Sequence, residues 1–387
     1  MKYISTRNKS LNFDFRSIFL RGLAPDGGLF LPNEIQKFSK NELKELSTLN
    51  YIDLGVEIIS KFCTPALDKN KIKLLLEKAY ASFDIKNIVE IKKIDNINLL
   101  ELYHGPTLAF KDIAMQVIGL MYEALNLNTK KINIIVATSG DTGSAAISAL
   151  KEKKNINLFV LHPHEKISNI QRKIMTTCDS NNIYNIAVKG NFDDCQKIVK
   201  QMFNDEKFRE KINMSGVNSG EYKPSKVKPS LSPSMDIQVA SNFERLLFDV
   251  LNGDDQKVSK LMQDLNENGF FKLEKDELKI IRKNFSAEKI NDADTLRIIK
   301  DFFINYGFIL DPHTATAVAA SYKVKNNSKT IILGTAHPFK FLETIKLAIG
   351  KNVDPPKQFS DLPKKIEKFE IINNRLEDIK EYIMKKI

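Results

Sequence analysis

The sequence predicts an α/β protein with a mostly parallel sheet, preceded by a small helical N-terminal domain. The first observation behind this prediction is the alternation, from about residue 83 onward, of short apolar strand-like runs with amphipathic helical runs. The second is the different character of residues 1–82, where a Gly/Pro-rich loop, GLAPDGGLFLP, adjoins segments of helical periodicity. The third is length, since 387 residues can bury a large core and hold two or three subdomains.

The predicted elements follow this plan in order. In residues 1–82, SKNELKELSTL and KNKIKLLLEKAYASF have the spacing of amphipathic helices. Three buried strands are then predicted, KINIIVAT at 131–138, INLFVLHP at 156–163 and IYNIAVKG at 183–190. Helices follow the first and third of these strands, in SGDTGSAAISALKEK and DDCQKIVKQMFND.

The alternation stops between residues 213 and 236. The segment there, NMSGVNSGEYKPSKVKPSLSPSMD, has three prolines and no strand pattern, so it predicts a long loop. Further elements follow: helices in IQVASNFERLLFDVL and DADTLRIIKDFFINYG, then the stretch TATAVAASYKV, a strand and turn in KTIILGTAHPFKF, and a charged helix in RLEDIKEYIMKK. We therefore expect an N-terminal domain over 1–82, an α/β domain over 83–350 and a helical tail over 351–387.

The composition favours a folded cytoplasmic protein with neither a nucleic-acid partner nor a membrane partner. Lysine plus arginine number 59 against 48 acidic residues, a net charge of +11. The lysines are nevertheless scattered, and their densest cluster, KPSKVKPS, has no interleaved aromatic residues. The chain has no run of about 18 apolar residues, and its first residues lack a signal-peptide pattern. We expect a monomer or a homodimer.

The cysteines and histidines do not predict a metal site. Cys63, Cys178 and Cys195 are widely spaced and fit neither a disulfide framework nor a zinc site. We interpret them as buried apolar groups. His162 and His164 flank a proline in a predicted loop, which is weak support for a metal ion, and we expect none.

The stretch SGDTG, residues 139–143, lies where a predicted strand ends and a helix begins. Backbone N–H groups at a helix N-terminus point outward, and the helix dipole favours negative charge there. Hydroxyl groups of Ser139, Thr142 and Ser144 add further donors. The stretch therefore predicts a site for a carboxylate or a phosphate. The alternative is an N-cap with glycines that a tight strand-to-helix turn requires.

Lys111, in HGPTLAFKD, follows three apolar residues. A lysine in an apolar setting loses its proton readily and can form a Schiff base with a carbonyl compound. The alternative is a lysine whose stem packs on the core while its ammonium reaches water. The stretches around Lys111 decide between these interpretations.

Those stretches resemble the threonine synthase family over nearly the whole chain. ELYHGPTLAFKD is followed by ATSGDTGSAAI, DPHTATAVAA and LGTAHPFKF in the order and spacing typical of that family. YISTRN…GLAPDGGLFLP, NFDDCQ and SPSMDIQVASNFERLLF are further stretches of this kind. The resemblance implies the pyridoxal-phosphate-dependent fold type II, as in the tryptophan synthase β chain. It also implies conversion of O-phospho-L-homoserine and water to L-threonine and phosphate.

The resemblance implies roles for individual residues. Lys111 matches the lysine that binds pyridoxal 5'-phosphate as a Schiff base and, once displaced by substrate, shuttles protons. Thr335, in GTAHP, matches a hydroxyl near the pyridine nitrogen, and a hydroxyl partner leaves that nitrogen unprotonated. The predicted substrate-binding residues are Ser139, Gly140, Asp141, Thr142 and Lys340.

Other polar residues in the matching stretches have no assigned role or an alternative one. Lys340 and Arg172 are candidate phosphate partners, and ordinary surface charge is the alternative for both. Four further residues lie inside the matching motifs, and we assign none of them a catalytic role: His104, Asp311, His313 and His337.

The chain departs from the family pattern after Ser219. There GVNS runs straight into GEYKPSKVKPSLSPSMDIQ, whereas family members carry a further segment with a GNFG turn that cradles the cofactor phosphate. The missing part corresponds to roughly two βαβ units of about 30 residues each. We therefore expect an incomplete central sheet with an unpaired edge.

Three accounts of this shortening stay open. The chain is an incomplete version of an active enzyme, a natural short relative that binds pyridoxal phosphate by another route such as the SGDTG helix, or a non-catalytic remnant. We predict a threonine synthase whose activity in this shortened form is open. The alternatives are a degenerate paralogue that keeps the fold and another pyridoxal-phosphate lyase, such as a threonine or serine dehydratase.

Overall fold

The structure is a computed structural model that describes residues 1–126, 131–204, 230–236, 240, 242–324 and 330–387. Within these ranges the chain forms two compact units. One unit holds residues 1–76 together with the described residues of 236–287. The other unit holds the described residues of 77–214, of 230–235 and of 288–387.

Helices and strands alternate along much of the chain. The first part contains β1 (Tyr3–Ser5), α1 (Phe15–Arg21), β2 (Phe30–Pro32), α2 (Lys40–Leu46), α3 (Tyr51–Cys63), α4 (Lys69–Tyr80), β3 (Glu90–Ile94), β4 (Ile97–Glu101), α5 (Lys111–Leu125), β5 (Ile132–Ala137), α6 (Asp141–Leu150), β6 (Ile156–Pro163), α7 (Asn169–Thr176), β7 (Ile183–Lys189) and α8 (Phe192–Asn204). The second part contains α9 (Phe243–Val250), α10 (Asp255–Asn268), α11 (Lys275–Asn284), α12 (Asp292–Tyr306), α13 (Pro312–Lys323), β8 (Ile331–Gly334), a 3₁₀ helix (Pro338–Phe341), α14 (Leu342–Ile349), β9 (Glu370–Asn373) and α15 (Leu376–Met384). No helix in these described ranges combines the length and apolar character needed to cross a membrane.

The first unit joins the N-terminal segments to helices from the middle of the chain. Strands β1 and β2 pair antiparallel. Glu244, on α9, is buried and accepts hydrogen bonds from Thr6 Oγ1 at 2.5 Å and from Arg7 Nε at 2.9 Å. A buried carboxylate needs such partners, so this cluster fixes α9 to the N-terminal segment. The predicted boundaries differ, because they place these helices in an α/β domain over 83–350.

The second unit contains a four-stranded parallel sheet in the order β5, β6, β7, β9. All eight residues of β6 are buried, as expected for a parallel strand covered on both faces. On one face Phe159 and Ile186 pack with Ile198 of α8 and Ile379 of α15. The three strands predicted in this region are confirmed.

Strand β9 was not predicted, and it lies within the tail over 351–387 that we expected to be helical. Residues 370–373 join the sheet in parallel beside β7, with Ile371 opposite Ala187. Only the last predicted helix, now α15, is confirmed in that tail. Parallel pairing of a short strand depends on a distant partner, so the local pattern did not reveal it.

A second, smaller sheet has the order β3, β4, β8. Strands β3 and β4 are antiparallel, whereas β4 and β8 are parallel with Glu101 opposite Gly334. Ile332 is buried in a core that α12 and α13 share, but Ile331 and Leu333 remain 57% and 50% exposed. Among the described residues, β5 is an edge strand of the four-stranded sheet and β8 is an edge strand of the three-stranded sheet. The predicted missing segment adjoins Ser219, which lies outside the described residues.

Candidate active site

Lys111 is the first residue of α5, and its amine has a partly buried position. Its Nζ lies 4.2 Å from the centroid of the Phe110 ring. Burial lowers the pKa of Lys111 below the usual value for lysine, and the charge of Asp141 opposes this shift. Phe110 provides no side-chain cap for α5, and its own N–H donates to the carbonyl of Thr335 at 2.9 Å. The structure therefore brings Thr335, which directly follows β8, beside the lysine segment.

The loop before α5 is fixed by a buried carboxylate. Asp112 has no exposed surface and accepts hydrogen bonds from the N–H of Thr107 at 2.8 Å and from its hydroxyl at 2.7 Å. Burial raises the pKa of Asp112, although both bonds to Thr107 oppose the shift. A Cβ on Gly105 would lie 2.3 Å from the Cβ of Asp112, so a larger residue cannot take its place. These contacts hold Lys111 in one position at the start of its helix.

The SGDTG stretch forms the predicted turn between β5 and α6. The hydroxyl of Thr138 accepts hydrogen bonds from the N–H of Gly140 at 3.0 Å and from the N–H of Gly143 at 2.8 Å. Ser144 donates both its N–H and its hydroxyl to the carbonyl of Gly140. Gly140 has a φ of 134°, a conformation that only glycine adopts without strain. Helix α6 begins at Asp141, and Gly140 before it makes no side-chain cap. The anion site at this N-terminus stays a prediction.

Asp141 and Lys340 form an ion pair in the interior. Lys340 Nζ lies 2.6 Å from Asp141 Oδ1 and donates to the carbonyl of Thr107 at 2.8 Å, and its side chain has no exposed surface. Gln171 Nε2 donates to the same Oδ1 at 3.0 Å. Burial alone would raise the pKa of Asp141, but Lys340 and Gln171 outweigh it and hold the pKa below its usual value.

This ion pair bears on the prediction for Lys340. The sequence is compatible with Lys340 as a phosphate partner or as an ordinary charged residue on the surface. The structure excludes the second interpretation, because Lys340 is fully buried. In this structure the ammonium already has two protein partners, Asp141 and Thr107. A direct bond from Lys340 to substrate would therefore require this pair to separate. The role of Lys340 as a substrate ligand stays a prediction.

Two of the motif histidines have structural partners. His313 contacts Asp311 Oδ1 through Nδ1 at 3.1 Å, and its Nε2 accepts the N–H of Ser234 at 3.1 Å. Both ring nitrogens are thus occupied, and Asp311 also caps α13. His337 Nδ1 accepts the N–H of Phe339 at 3.2 Å, and burial lowers the pKa of His337 to about 4. Burial therefore favours the neutral form of His337 near pH 7.

His104, the third motif histidine, lies beside a buried carboxylate. Its Nε2 is 3.1 Å from Glu101 Oε2, and Glu101 also accepts the hydroxyl of Tyr103 at 2.7 Å. Glu90, Glu101 and His104 offer possible metal-ligand atoms within 4.8 Å of one another. Lys92 Nζ lies 3.1 Å from Glu101, however, and already balances its charge.

Arg172 and His162 contact Glu367 and Phe369, respectively, which lie outside the quoted motifs. Arg172 binds Glu367 with two hydrogen bonds, of 2.8 Å and 3.0 Å, so its guanidinium group is committed to that carboxylate. His162 belongs to β6 and not to a loop, and its ring is buried. Neither ring nitrogen of His162 has a partner among the described residues. Burial lowers the pKa of His162 to about 4.

Sequence reasoning missed the residues that support the site. Thr107, Thr138 and Gln171 hold the predicted residues in place, yet none of them has a distinctive local pattern. Thr107 and Thr138 lie within the quoted stretches HGPTLAFKD and ATSGDTGSAAI, which is the one signal available in the sequence. Gln171 is one of several polar residues in a short amphipathic helix, and polar residues in such helices are usually exposed.

The chain is similar to known proteins over nearly its whole length. The family model described as "Threonine synthase N terminus" matches residues 2–80, and the one described as "Threonine synthase, C-terminal" matches residues 314–383. Threonine synthase of Pseudomonas aeruginosa is 32% identical, over 99% of this chain and 98% of its own. The structure of PLP-bound threonine synthase from Brucella melitensis is 31% identical with a TM-score of 0.91, covering 100% of this chain and 99% of that one. The structure of threonine synthase from yeast is 29% identical with a TM-score of 0.89, covering 100% of this chain and 98% of that one.

The length of the alignment bears on the predicted shortening. The comparison with the Pseudomonas aeruginosa protein extends over 459 positions, which exceed the 387 residues of this chain by 72. Since nearly all of both chains is aligned, these extra positions lie within the alignment and not at its ends. This supports the prediction that the chain lacks an internal segment that its relatives carry.

Proposed function

Because the chain belongs to the threonine synthase family, we propose that it converts O-phospho-L-homoserine and water to L-threonine and phosphate. It is a pyridoxal-phosphate-dependent lyase of threonine biosynthesis. One structural observation supports the assignment of this reaction most directly. Lys111, with its lowered pKa, lies at the start of α5 in a segment whose backbone is bonded to Thr335.

The described residues fit the aldehyde end of pyridoxal phosphate, whereas the segment that cradles its phosphate in the family is the one predicted to be missing here. Its aldehyde needs an amine that is neutral at working pH, and burial of Lys111 favours the neutral form. When bound, the cofactor supplies a ring that withdraws electrons from the carbon atoms of the substrate.

We propose that Lys111 holds the cofactor covalently and, once free, carries protons through Nζ. A base is most effective when its pKa lies near the working pH, and burial moves the pKa of Lys111 in that direction. The contacts of Asp112 with Thr107 keep the start of α5 in place while the amine reacts. Lys111 thus accepts and returns protons from one fixed position.

Thr335 and the SGDTG turn have separate proposed tasks. By the family resemblance, the hydroxyl of Thr335 would hold the ring nitrogen of the cofactor and, as a neutral partner, would leave that nitrogen unprotonated. Ser139, Gly140 and Thr142 bind an anionic group of the substrate at the N-terminus of α6, where the helix dipole favours negative charge. Asp141 contributes through its ion pair with Lys340, which holds the first residue of α6.

The proposed setting of the enzyme is the cytoplasm, as a monomer or homodimer without nucleic-acid or membrane partners. The scattered distribution of the lysines supports this proposal. Scattered positive charge does not form the continuous basic surface that nucleic acids select.

The test is a substrate panel with the purified 387-residue chain saturated with pyridoxal phosphate. We expect O-phospho-L-homoserine to yield phosphate and threonine in equal amounts. L-Threonine and L-serine should yield no 2-oxo acid, which a dehydratase would produce. Lys111→Ala should abolish phosphate release, and Lys131→Ala, at an exposed lysine, should leave it unchanged. Absence of phosphate release, or formation of a 2-oxo acid as the main product, would contradict the proposal.

A further inference from the structure

Gln171 occupies a fully buried position between three parts of the candidate active site. It is the third residue of α7, and its side chain has no exposed surface. Its N–H donates to the hydroxyl of Ser168 at 3.1 Å, and that hydroxyl donates to the carbonyl of Lys340 at 2.9 Å. The start of α7 is therefore tied to the residue that carries the buried ammonium.

The amide of Gln171 acts on Asp141. Its Nε2 donates to Oδ1 at 3.0 Å, and this is the oxygen that Lys340 Nζ approaches at 2.6 Å. Two donors from different elements thus converge on one carboxylate oxygen. Because Asp141 is the first residue of α6, these contacts fix the direction in which that helix begins.

The carbon stem of Gln171 supports Gly140. A Cβ on Gly140 would lie 2.8 Å from both Cδ and Nε2 of Gln171 and 3.1 Å from its Cβ. The backbone of the turn therefore rests directly on the glutamine side chain. The hydrogen bonds inside the turn go to Thr138 and Ser144, so its position relative to α7 depends on Gln171.

Packing alone does not account for a glutamine at this position. Its Oε1 is buried and has no partner among the described residues. An unsatisfied buried carbonyl group destabilises the folded protein, whereas methionine would fill a similar space without that cost. The amide is therefore explained by its bond to Asp141.

We propose that Gln171 is the positioning residue of the SGDTG turn and, through Asp141 and Gly140, sets the affinity of that turn for the phosphorylated substrate. The inference rests on the proposed function, since it takes Ser139, Gly140 and Thr142 to contact substrate. It goes further by assigning a role to a residue on α7 that need not touch the substrate.

Two variants of similar shape separate positioning from packing. Gln171→Met keeps the volume and loses the donor. Gln171→Glu donates to Asp141 only while its carboxyl group is protonated, and when ionised it repels Asp141. Burial and the neighbouring carboxylate raise the pKa of such a glutamic acid toward neutrality. The titratable groups that interact with the Asp141 carboxylate are Lys340, His313 and Lys111. Arg172, on α7 itself, is paired with Glu367.

The experiment measures kcat and KM for O-phospho-L-homoserine from about pH 6 to about pH 9, the range in which the new carboxyl group titrates. Calorimetry of each protein in the Lys111→Ala background, in which phosphate release should be abolished, gives the dissociation constant of the same compound without turnover. Thermal unfolding of all three proteins serves as the control for folding. We expect Gln171→Met to lose at least tenfold in substrate affinity while its melting temperature equals or exceeds that of the wild type. Gln171→Glu should approach wild-type affinity at the acidic end and fall below Gln171→Met at the alkaline end.

The outcomes distinguish this inference from the proposed function. Wild-type affinity in Gln171→Met, or a Gln171→Glu profile parallel to the wild type, overturns the inference alone. Substrate binding without phosphate release by the wild type overturns the proposed reaction alone, and the role of Gln171 is then judged from the dissociation constants. A wild-type protein that does not bind the substrate overturns both.

Discussion

Replacing Lys340 with methionine removes the ammonium group from the buried ion pair with Asp141. The wild-type pair has an N–O distance of 2.6 Å, and the lysine side chain has no exposed surface. Methionine retains most of the stem, so the change leaves the Asp141 carboxylate buried with Gln171 as its remaining amide donor. Breaking one side of a buried pair costs about 3–5 kcal/mol, because an uncompensated charge stays in the interior.

The assay is differential scanning calorimetry of the cofactor-free protein. In a unit of about 150–250 residues, 1 kcal/mol corresponds to about 2–4 °C, so we expect the melting temperature to fall by roughly 6–20 °C. The matched control is the double variant Lys340→Met with Asp141→Asn. It removes the charge that the single variant leaves unpaired, so it should recover a large part of the loss.

Two results would refute this reasoning. If Lys340→Met melts within about 2 °C of the wild type, the ammonium is not part of a buried pair in solution. If the losses of Lys340→Met and Asp141→Asn simply add in the double variant, the two groups are not coupled.

Two further predictions concern the turn and the buried histidines. Gly140→Ala should lower the melting temperature and weaken substrate affinity, because alanine is strained at a φ of 134° and its Cβ would meet Gln171 at 2.8 Å. The control for backbone strain alone is Gly269→Ala, since Gly269 also has a positive φ but has open space around it. Burial lowers the pKa of His162 and of His337 to about 4 from 6.5, so between these values the unfolded chain binds more protons than the folded one. The free energy of unfolding should therefore be highest above about pH 6.5 and fall by on the order of 1–3 kcal/mol per histidine as the pH drops toward 4. Denaturant titrations at several pH values check this, and His162→Phe should show a smaller decline; an equal decline in that variant would contradict the assignment.

The sequence predicted the elements that local patterns specify. Strands β5, β6 and β7 have apolar runs between turn signals, and α12 has a clear helical period, so all four were recognised. Strand β9 is only four residues long, and its pairing with β7 joins distant parts of the chain. The association of α9 with the N-terminal segment likewise depends on a contact from Glu244 to Arg7 that no local pattern encodes.

For the site, the sequence predicted the residues that lie in motifs but not the contacts among them. Lys111, Thr335 and the SGDTG turn were identified from quoted stretches. The bond from Lys340 to Asp141 was not predicted, because opposite charges far apart in sequence give no sign of meeting. Gln171 was missed for the same reason. A buried amide is recognised by its partner, and its partner lies on another helix.

The most direct test of the proposed chemistry is a titration of the purified 387-residue chain with pyridoxal phosphate, followed by the visible absorbance of the lysine-bound cofactor. Borohydride reduction and peptide mapping then locate the label. We predict saturable absorbance with the label on Lys111, loss of the signal in Lys111→Ala and full retention in Lys131→Ala. Absorbance that does not saturate, or label spread over exposed lysines, would contradict the claim that this shortened chain is a working pyridoxal-phosphate enzyme.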